Sequence, residues 1–220
     1  VSTRPDSVTG EWGLGHDEVL APRFPRLVHC RITGFGGDGP FGGFPGYDAV
    51  IQAMAGLISI NGAPASGPVR LGIPLVDLGS GLNAAVGILM ALAARQRSGQ
   101  GQLVEVTLYD SAIGLLHPHA ANWFMTGRAP RLTGNAHPNI SPYDLYPTSG
   151  RPIFLGIGND RQFATLCREL GRPELAADPR FRGNAERLAN RDALTAILRD
   201  LLAGQDGEAL AARLLAAGVP

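Results

Sequence analysis

Ile73-Pro74-Leu75-Val76-Asp77-Leu78-Gly79-Ser80-Gly81 runs straight into an alanine-rich apolar segment that closes at Arg95-Gln96-Arg97-Ser98-Gly99-Gln100-Gly101-Gln102. The apolar residues before Asp77 read as a short strand, and Leu82 to about Arg97 reads as a helix apolar nearly all round, which predicts burial against a sheet. A carboxylate at a strand-to-helix junction, followed at once by glycines that let a ligand approach the backbone, is a place where a reactive group is displayed. Asp77 is therefore a candidate nucleophile. The competing reading is local: aspartate is a favoured helix N-cap.

Gly79-Ser80-Gly81-Leu82-Asn83-Ala84 also fits the G-x-G-x-x-A pattern of dinucleotide-binding units, with Glu105 on the strand that follows. Asp77 stands two positions before the first glycine, where its charge would repel a pyrophosphate in a partly desolvated site. That argues against a nicotinamide or flavin.

Working outward, Arg26 to Thr33 is β-rich and breaks into the glycine-heavy loop Gly34-Phe35-Gly36-Gly37-Asp38-Gly39-Pro40. Tyr47 to about Ile60 has helical spacing, a second loop carries Pro64, Pro68 and Arg70, Gln102 to Leu108 reads as a strand, and Asp110-Ser111 opens another helix. Strand, helix, strand, helix predicts an α/β domain with parallel pairing. Prolines and glycines between Thr126 and Thr148 mark a connection, after which come a strand at 152–157, a helix at 161–170, a turn at 178–182 and helices near 185–202 and 207–217. The domain reading is 1–126 for a large α/β domain, 127–148 for a linker and cover loop, and 149–220 for a smaller α+β domain.

Composition narrows the function classes. The 220 residues are 45% hydrophobic and balance 19 basic against 19 acidic side chains, so there is no electrostatic footprint for nucleic acid and none for a membrane surface. All the basic residues are arginine, which removes Schiff-base chemistry on lysine and leaves arginine to hold an anionic ligand. Cys30 and Cys167 lie in separate apolar runs and read as buried free thiols in a reducing compartment. No secretory signal is evident at Val1-Ser2-Thr3, and no apolar run reads as a bilayer span, so the expected setting is cytoplasmic.

Several motifs in one order resemble the class III CoA-transferases, a group that includes formyl-CoA and carnitine CoA-transferases and 2-methylacyl-CoA racemases. They are Gly34-Phe35-Gly36-x-Asp38-Gly39-Pro40, Gly46-Tyr47-Asp48, Asp77-x-Gly79-x-Gly81, Arg97-Ser98-Gly99-Gln100-Gly101-Gln102, Leu108-Tyr109-Asp110, Gly134-Asn135-x-His137-Pro138-Asn139 and Gly158-Asn159-Asp160-Arg161-Gln162-Phe163. The resemblance covers nearly the whole chain. It implies a Rossmann-like parallel α/β large domain with part or all of a smaller α+β domain, in an interlocked homodimer.

The resemblance also makes Asp77 the covalent nucleophile. Its carboxylate attacks an acyl-CoA thioester to give a mixed anhydride and CoA thiolate; the thiolate returns to form an aspartyl-CoA thioester, and an acceptor carboxylate reverses the sequence. Backbone N–H groups from Leu78 to Gly81 are expected to stabilise the oxyanions. Substrate or CoA contacts are expected at Tyr47, Gly79, Gly81, Arg70, Leu108, Asn135 and His137. No cofactor or metal is expected, CoA thioester being substrate, and His117-Pro118-His119 lacks a third convergent ligand. The partners expected are acyl-CoA, a carboxylic acid and a second copy of the chain.

Racemases of the group place histidine where this chain has Tyr47, and a phenol is a poor proton-exchange partner at neutral pH. That departure favours transfer; an acyl-CoA racemase or epimerase and a non-catalytic CoA-binding or dimerisation fragment are the alternatives. Tyr47 is read either as a hydrogen-bond donor to the acyl group or as a buried tyrosine that finds a partner. Asp110 is read as a helix cap. The segment from Asn135 to Tyr143 stands where some transferases carry a mobile glycine run, and is expected to be a stiffer cover or a connection. The family's first strand and helix are expected before Val1 and its C-terminal return after Pro220, making this an internal fragment, with Arg4-Pro5 as a remnant of a Phe-Arg-Pro-Gly segment.

Overall fold

The computed structural model describes residues 1–3 and 10–220, so the expectation for Arg4-Pro5 lies outside the described residues. The chain forms two compact units, 1–132 and 133–220. The first is built on β1 (His29–Thr33), α1 (Asp48–Met54), α2 (Leu57–Ile60), α3 (Leu75–Ser98), β2 (Leu103–Thr107), α4 (Leu108–Leu115) and α5 (His119–Thr126). The second contains β3 (Tyr143–Tyr146), β4 (Ile153–Gly156), α6 (Asp160–Glu169), α7 (Asn184–Ala189), α8 (Arg191–Ala203) and α9 (Gly207–Ala216). The expected α/β class holds.

β1 and β2 pair in parallel, with His29 opposite Leu103 and Thr33 opposite Thr107. α3 is the crossover between them, and it packs so closely that a Cβ on Gly87 would come within 2.6 Å of Val104 Cγ1. Ile51, Leu57, Val76, Leu108 and Ala112 form the buried core beneath α3 and α4. Parallel pairing through a long helix is what the alternation of elements predicts.

Three local expectations are corrected. The apolar run before Asp77 is not a strand: Pro74 is the N-cap and Leu75 already begins α3. Proline tolerates that position because its missing N–H would have no partner in the first turn. The helix expected from Tyr47 to Ile60 breaks at Gly56, whose φ of 95° no side-chain-bearing residue adopts readily. The third correction concerns α3 itself, which is buried only along Val76, Ser80, Ala84 and Ala91, while Leu78, Leu82, Val86, Leu89 and Met90 form an exposed stripe.

At 24 residues, with a mean hydropathy of 1.7 over its most apolar window, α3 is also long and apolar enough to cross a membrane by length and composition. The sequence reading that no run could do so is therefore overturned. Much of that hydropathy comes from the exposed leucine and valine stripe, on a helix whose other face packs against β2.

In the second unit β3 and β4 pair antiparallel, Tyr143 opposite Gly156 and Tyr146 opposite Ile153. β3 lies inside the proline-rich stretch read as connection. Phe163, Leu166, Leu194, Leu198, Leu202 and Leu210 fill the core of this unit. The 185–202 pattern is two helices, since α7 ends at Ala189 and α8 begins at Arg191.

Arg187 is fully buried there. Its guanidinium donates to the carbonyls of Ser141 at 2.7 Å and Phe181 at 3.1 Å and to Asp160 Oδ1 at 2.7 Å, and lies 4.6 Å from the centroid of the Phe163 ring. It joins the start of α6, the strand-leading loop and α7 in one network. Arg187→Ala strands two carbonyls and opens a cavity, so it should destabilise this unit by about 3 kcal/mol in urea unfolding followed by circular dichroism.

Candidate active site

Asp77 is the third residue of α3, and its setting depends on a carboxylate from another helix. Asp48, at the start of α1 and 9% exposed, accepts from the backbone N–H of Val76 at 2.8 Å and of Asp77 at 3.2 Å through Oδ2. Its other oxygen accepts from Gln52 Nε2 at 2.6 Å, and Gln52 Oε1 in turn accepts from the N–H of Leu71 at 3.0 Å. Asp77 is therefore not the cap of its own helix. Asp48 fills that role from an earlier segment of chain, which frees the Asp77 carboxylate.

The freed carboxylate is exposed and lines a cavity of about 580 Å³ in the first unit. The opposite wall is the loop after β1, whose backbones pass unusually close: a Cβ on Gly34 would lie 2.7 Å from Gly46 N, and one on Gly46 would lie 2.9 Å from Gly34 Cα. Only glycine fits either position. Gly43 N–H donates to the Gly36 carbonyl at 2.9 Å, which closes the loop on itself beside the cavity.

Partial burial pushes the Asp77 carboxyl above the usual aspartate range, with the nearby Asp48 charge adding to the effect. Asp48 thus has two opposed effects: its hydrogen bonds order the helix start, while its charge disfavours a second carboxylate beside it. A carboxylate destabilised in this way is a better nucleophile once ionised.

The residues singled out from the sequence divide clearly. Tyr47, Asp77, Gly81 and Leu108 line the same cavity. Tyr47 is 79% exposed, so the buried alternative for it is excluded. Gly79 faces the other side of α3, where a Cβ would come 3.2 Å from Leu115 Cδ1. Arg70 is exposed and donates to the Leu71 carbonyl at 2.8 Å, apart from the residues that line the cavity. Asn135 and His137 belong to the second unit, where His137 Nδ1 accepts from the Asn139 N–H at 3.1 Å.

Two further expectations change. The N–H groups of Leu78 to Gly81 cannot form an oxyanion site, because Leu78 donates to the Pro74 carbonyl at 3.1 Å and the next three lie in continuous α-helix. The cap of α4 is Thr107, whose hydroxyl accepts from Asp110 N–H at 2.9 Å and donates to Asp110 Oδ2 at 2.7 Å, so Asp110 is the reciprocal partner and not the cap. No group of three or more metal-ligating side chains occurs among the described residues. Asp48, Gln52 and Ser80 escaped the sequence reading as site residues, although Asp48 and Ser80 stood inside quoted motifs.

The fold and the site define a parallel α/β protein that displays one carboxylate at a helix start opposite a glycine loop. The chain belongs to CoA-transferase family III, whose model matches residues 1–220. It is 39% identical over 209 residues to the acetyl-CoA:oxalate CoA-transferase of Acetobacter aceti, covering 94% of this chain and 54% of that protein. It is 40% identical over 181 residues to the succinate–glutarate CoA-transferase of Agrobacterium fabrum, covering 82% and 45%. Among solved structures, a CAIB/BAIF family protein from Brucella suis superposes with a TM-score of 0.78 at 38% identity, and Rv3272 from Mycobacterium tuberculosis with 0.85 at 33%. Each superposition covers all of this chain, and 58% and 57% of the two structures. The chain spans about half the length of the curated relatives it matches.

The raised Asp77 pKa also bears on stability. A carboxyl whose folded pKa is raised binds protons more readily folded than unfolded, so stability falls as pH rises through the window between the two values. Asp77→Asn should therefore raise the melting temperature at neutral pH. The gain should vanish below the ordinary aspartate range, where the wild-type carboxyl is protonated in both states; a pH series of thermal melts measures it.

Proposed function

We propose that the protein of which these residues form a part transfers coenzyme A from an acyl-CoA to a carboxylic acid, with Asp77 as covalent nucleophile. The observation that carries this reading is a carboxylate relieved of capping by Asp48 and exposed in a glycine-walled cavity. The Asp77 oxygen attacks the thioester carbon, the C–S bond breaks and CoA leaves as thiolate. The thiolate then attacks Asp77 Cγ, the anhydride C–O bond breaks and the donor acid departs, leaving an aspartyl-CoA thioester. An acceptor carboxylate runs both steps in reverse. No proton moves in the net exchange, which is why a carboxylate serves without a general base.

The relatives act, by name, on acetyl-CoA with oxalate and on succinate with glutarate, so short mono- and dicarboxylic acids are the first substrates to test. No cofactor is needed, CoA entering as substrate. Racemisation is the second reading, and Tyr47 disfavours it: proton exchange on both faces of an α-carbon needs two acid/base groups, and a phenol is weak in that role. A homodimer is proposed on the exposed stripe of α3, an apolar surface that an association would cover. The two buried free thiols favour a reducing, cytoplasmic setting.

In the complete gene product, Asp77→Ala should abolish transfer from acetyl-CoA or succinyl-CoA to oxalate, succinate or glutarate while leaving the circular dichroism spectrum unchanged. Wild-type enzyme quenched during turnover should carry acyl or CoA mass on the peptide that contains Asp77. Near-wild-type transfer by Asp77→Ala would falsify the nucleophile assignment. With 2-methylacyl-CoA in deuterated water, α-deuterium uptake should be negligible; exchange at a rate matching turnover would favour the racemase. Light scattering should give the dimer mass, a monomer removing the role proposed for the α3 stripe.

A further inference from the structure

Ser80 lies on α3 one turn beyond Asp77, and residues three apart on a helix are surface neighbours. It is 1% exposed and lines the same cavity as Asp77, yet its hydroxyl has no hydrogen-bond partner among the described residues. A serine within a helix ordinarily back-bonds to a carbonyl or reaches solvent, and a buried hydroxyl doing neither costs stability. Such an orphan marks a group kept for something other than the resting fold.

The chemistry at Asp77 lacks a donor that this hydroxyl can supply. When the thiolate attacks Asp77 Cγ, negative charge develops on the oxygen of the aspartyl side chain itself. The nearby backbone donors are committed: Leu75 N–H to the Ile73 carbonyl, Val76 and Asp77 N–H to Asp48, and Leu78 N–H to Pro74. Ser80 Oγ–H is the uncommitted donor on the cavity side of this turn.

We propose that the Ser80 hydroxyl donates to the Asp77 side-chain oxygen as the acyl-aspartyl anhydride passes to the aspartyl-CoA thioester. The C–S bond to Cγ forms, the anhydride C–O bond breaks with its electron pair leaving on the donor carboxylate, and the serine keeps its proton throughout. The inference rests on Asp77 being the nucleophile. It assigns Ser80 to the second half-step, and to its reverse, but not to the first attack, where the charge develops on the substrate's own oxygen.

The test is Ser80→Ala in the complete gene product, beside wild type and Asp77→Ala, with whichever acyl-CoA of the panel above gives the highest turnover. Ser80→Ala should lower kcat about ten- to a hundredfold at unchanged KM. Rapid quench with intact-protein mass spectrometry should show acyl adduct accumulating at the expense of CoA adduct. The melting temperature should stay the same or rise, because an unpaired buried hydroxyl has been removed. Wild-type turnover, or an unchanged adduct ratio, in Ser80→Ala beside an inactive Asp77→Ala overturns the role of Ser80 and leaves Asp77 standing. Transfer by Asp77→Ala overturns both. A Ser80→Ala protein that melts earlier or does not fold also overturns the proposal, since the hydroxyl would then have a structural partner.

Discussion

The carboxylate of Asp48 against the first turn of α3 is the contact on which the site depends. A helix start leaves backbone N–H groups unpaired, and when it faces protein on one side and a cavity on the other those donors must be satisfied from somewhere. Had Asp77 met the need itself, its oxygens would be held against its own backbone. Asp48 satisfies two donors at once, and Gln52 holds Asp48 while binding the loop that leads into α3. The Asp77 carboxylate is thus positioned by a helix that precedes it in the chain and is separated from it by α2 and the segment that follows.

That arrangement has an electrostatic cost with a chemical use. Partial burial disfavours the charged form of Asp77, and repulsion from the Asp48 carboxylate adds to the penalty, so the ionised form is less stable in the fold than in water. Forming an anhydride or thioester removes the charge. On the proposed nucleophilic role of Asp77, the fold would favour those covalent intermediates relative to the free carboxylate, a differential of the kind catalysis requires.

α3 carries three surfaces on one cylinder, and their division explains its composition. Val76, Ala84 and Ala91 are buried, Gly87 lets the helix sit close to β2, and Ser80 is buried on the side that lines the cavity. Asp77 and Gly81 face the cavity. Leu78, Leu82, Val86, Leu89 and Met90 face outward, which is why hydropathy around the helix is nearly uniform although less than half of it is buried. A single apolar signal stood for two different environments.

The α/β class, the parallel strands, the family and the candidacy of Asp77 were legible in the sequence, because each rests on local order: alternating elements, spaced glycines, motifs in succession. The proline before α3 misled, since Ile73 to Val76 is apolar and β-branched at both ends while the structure uses Pro74 to start a helix. What only the tertiary structure decided was which groups meet. The pairing of Asp48 with the N–H groups of Val76 and Asp77, the backbone approach of Gly34 to Gly46 and the orphaned hydroxyl of Ser80 all join segments or environments that no local pattern encodes. A hydrogen-bond partner is chosen by distance in the folded chain, and the same aspartate serves its own helix or another's depending on where the packing of α1 against α3 sets it.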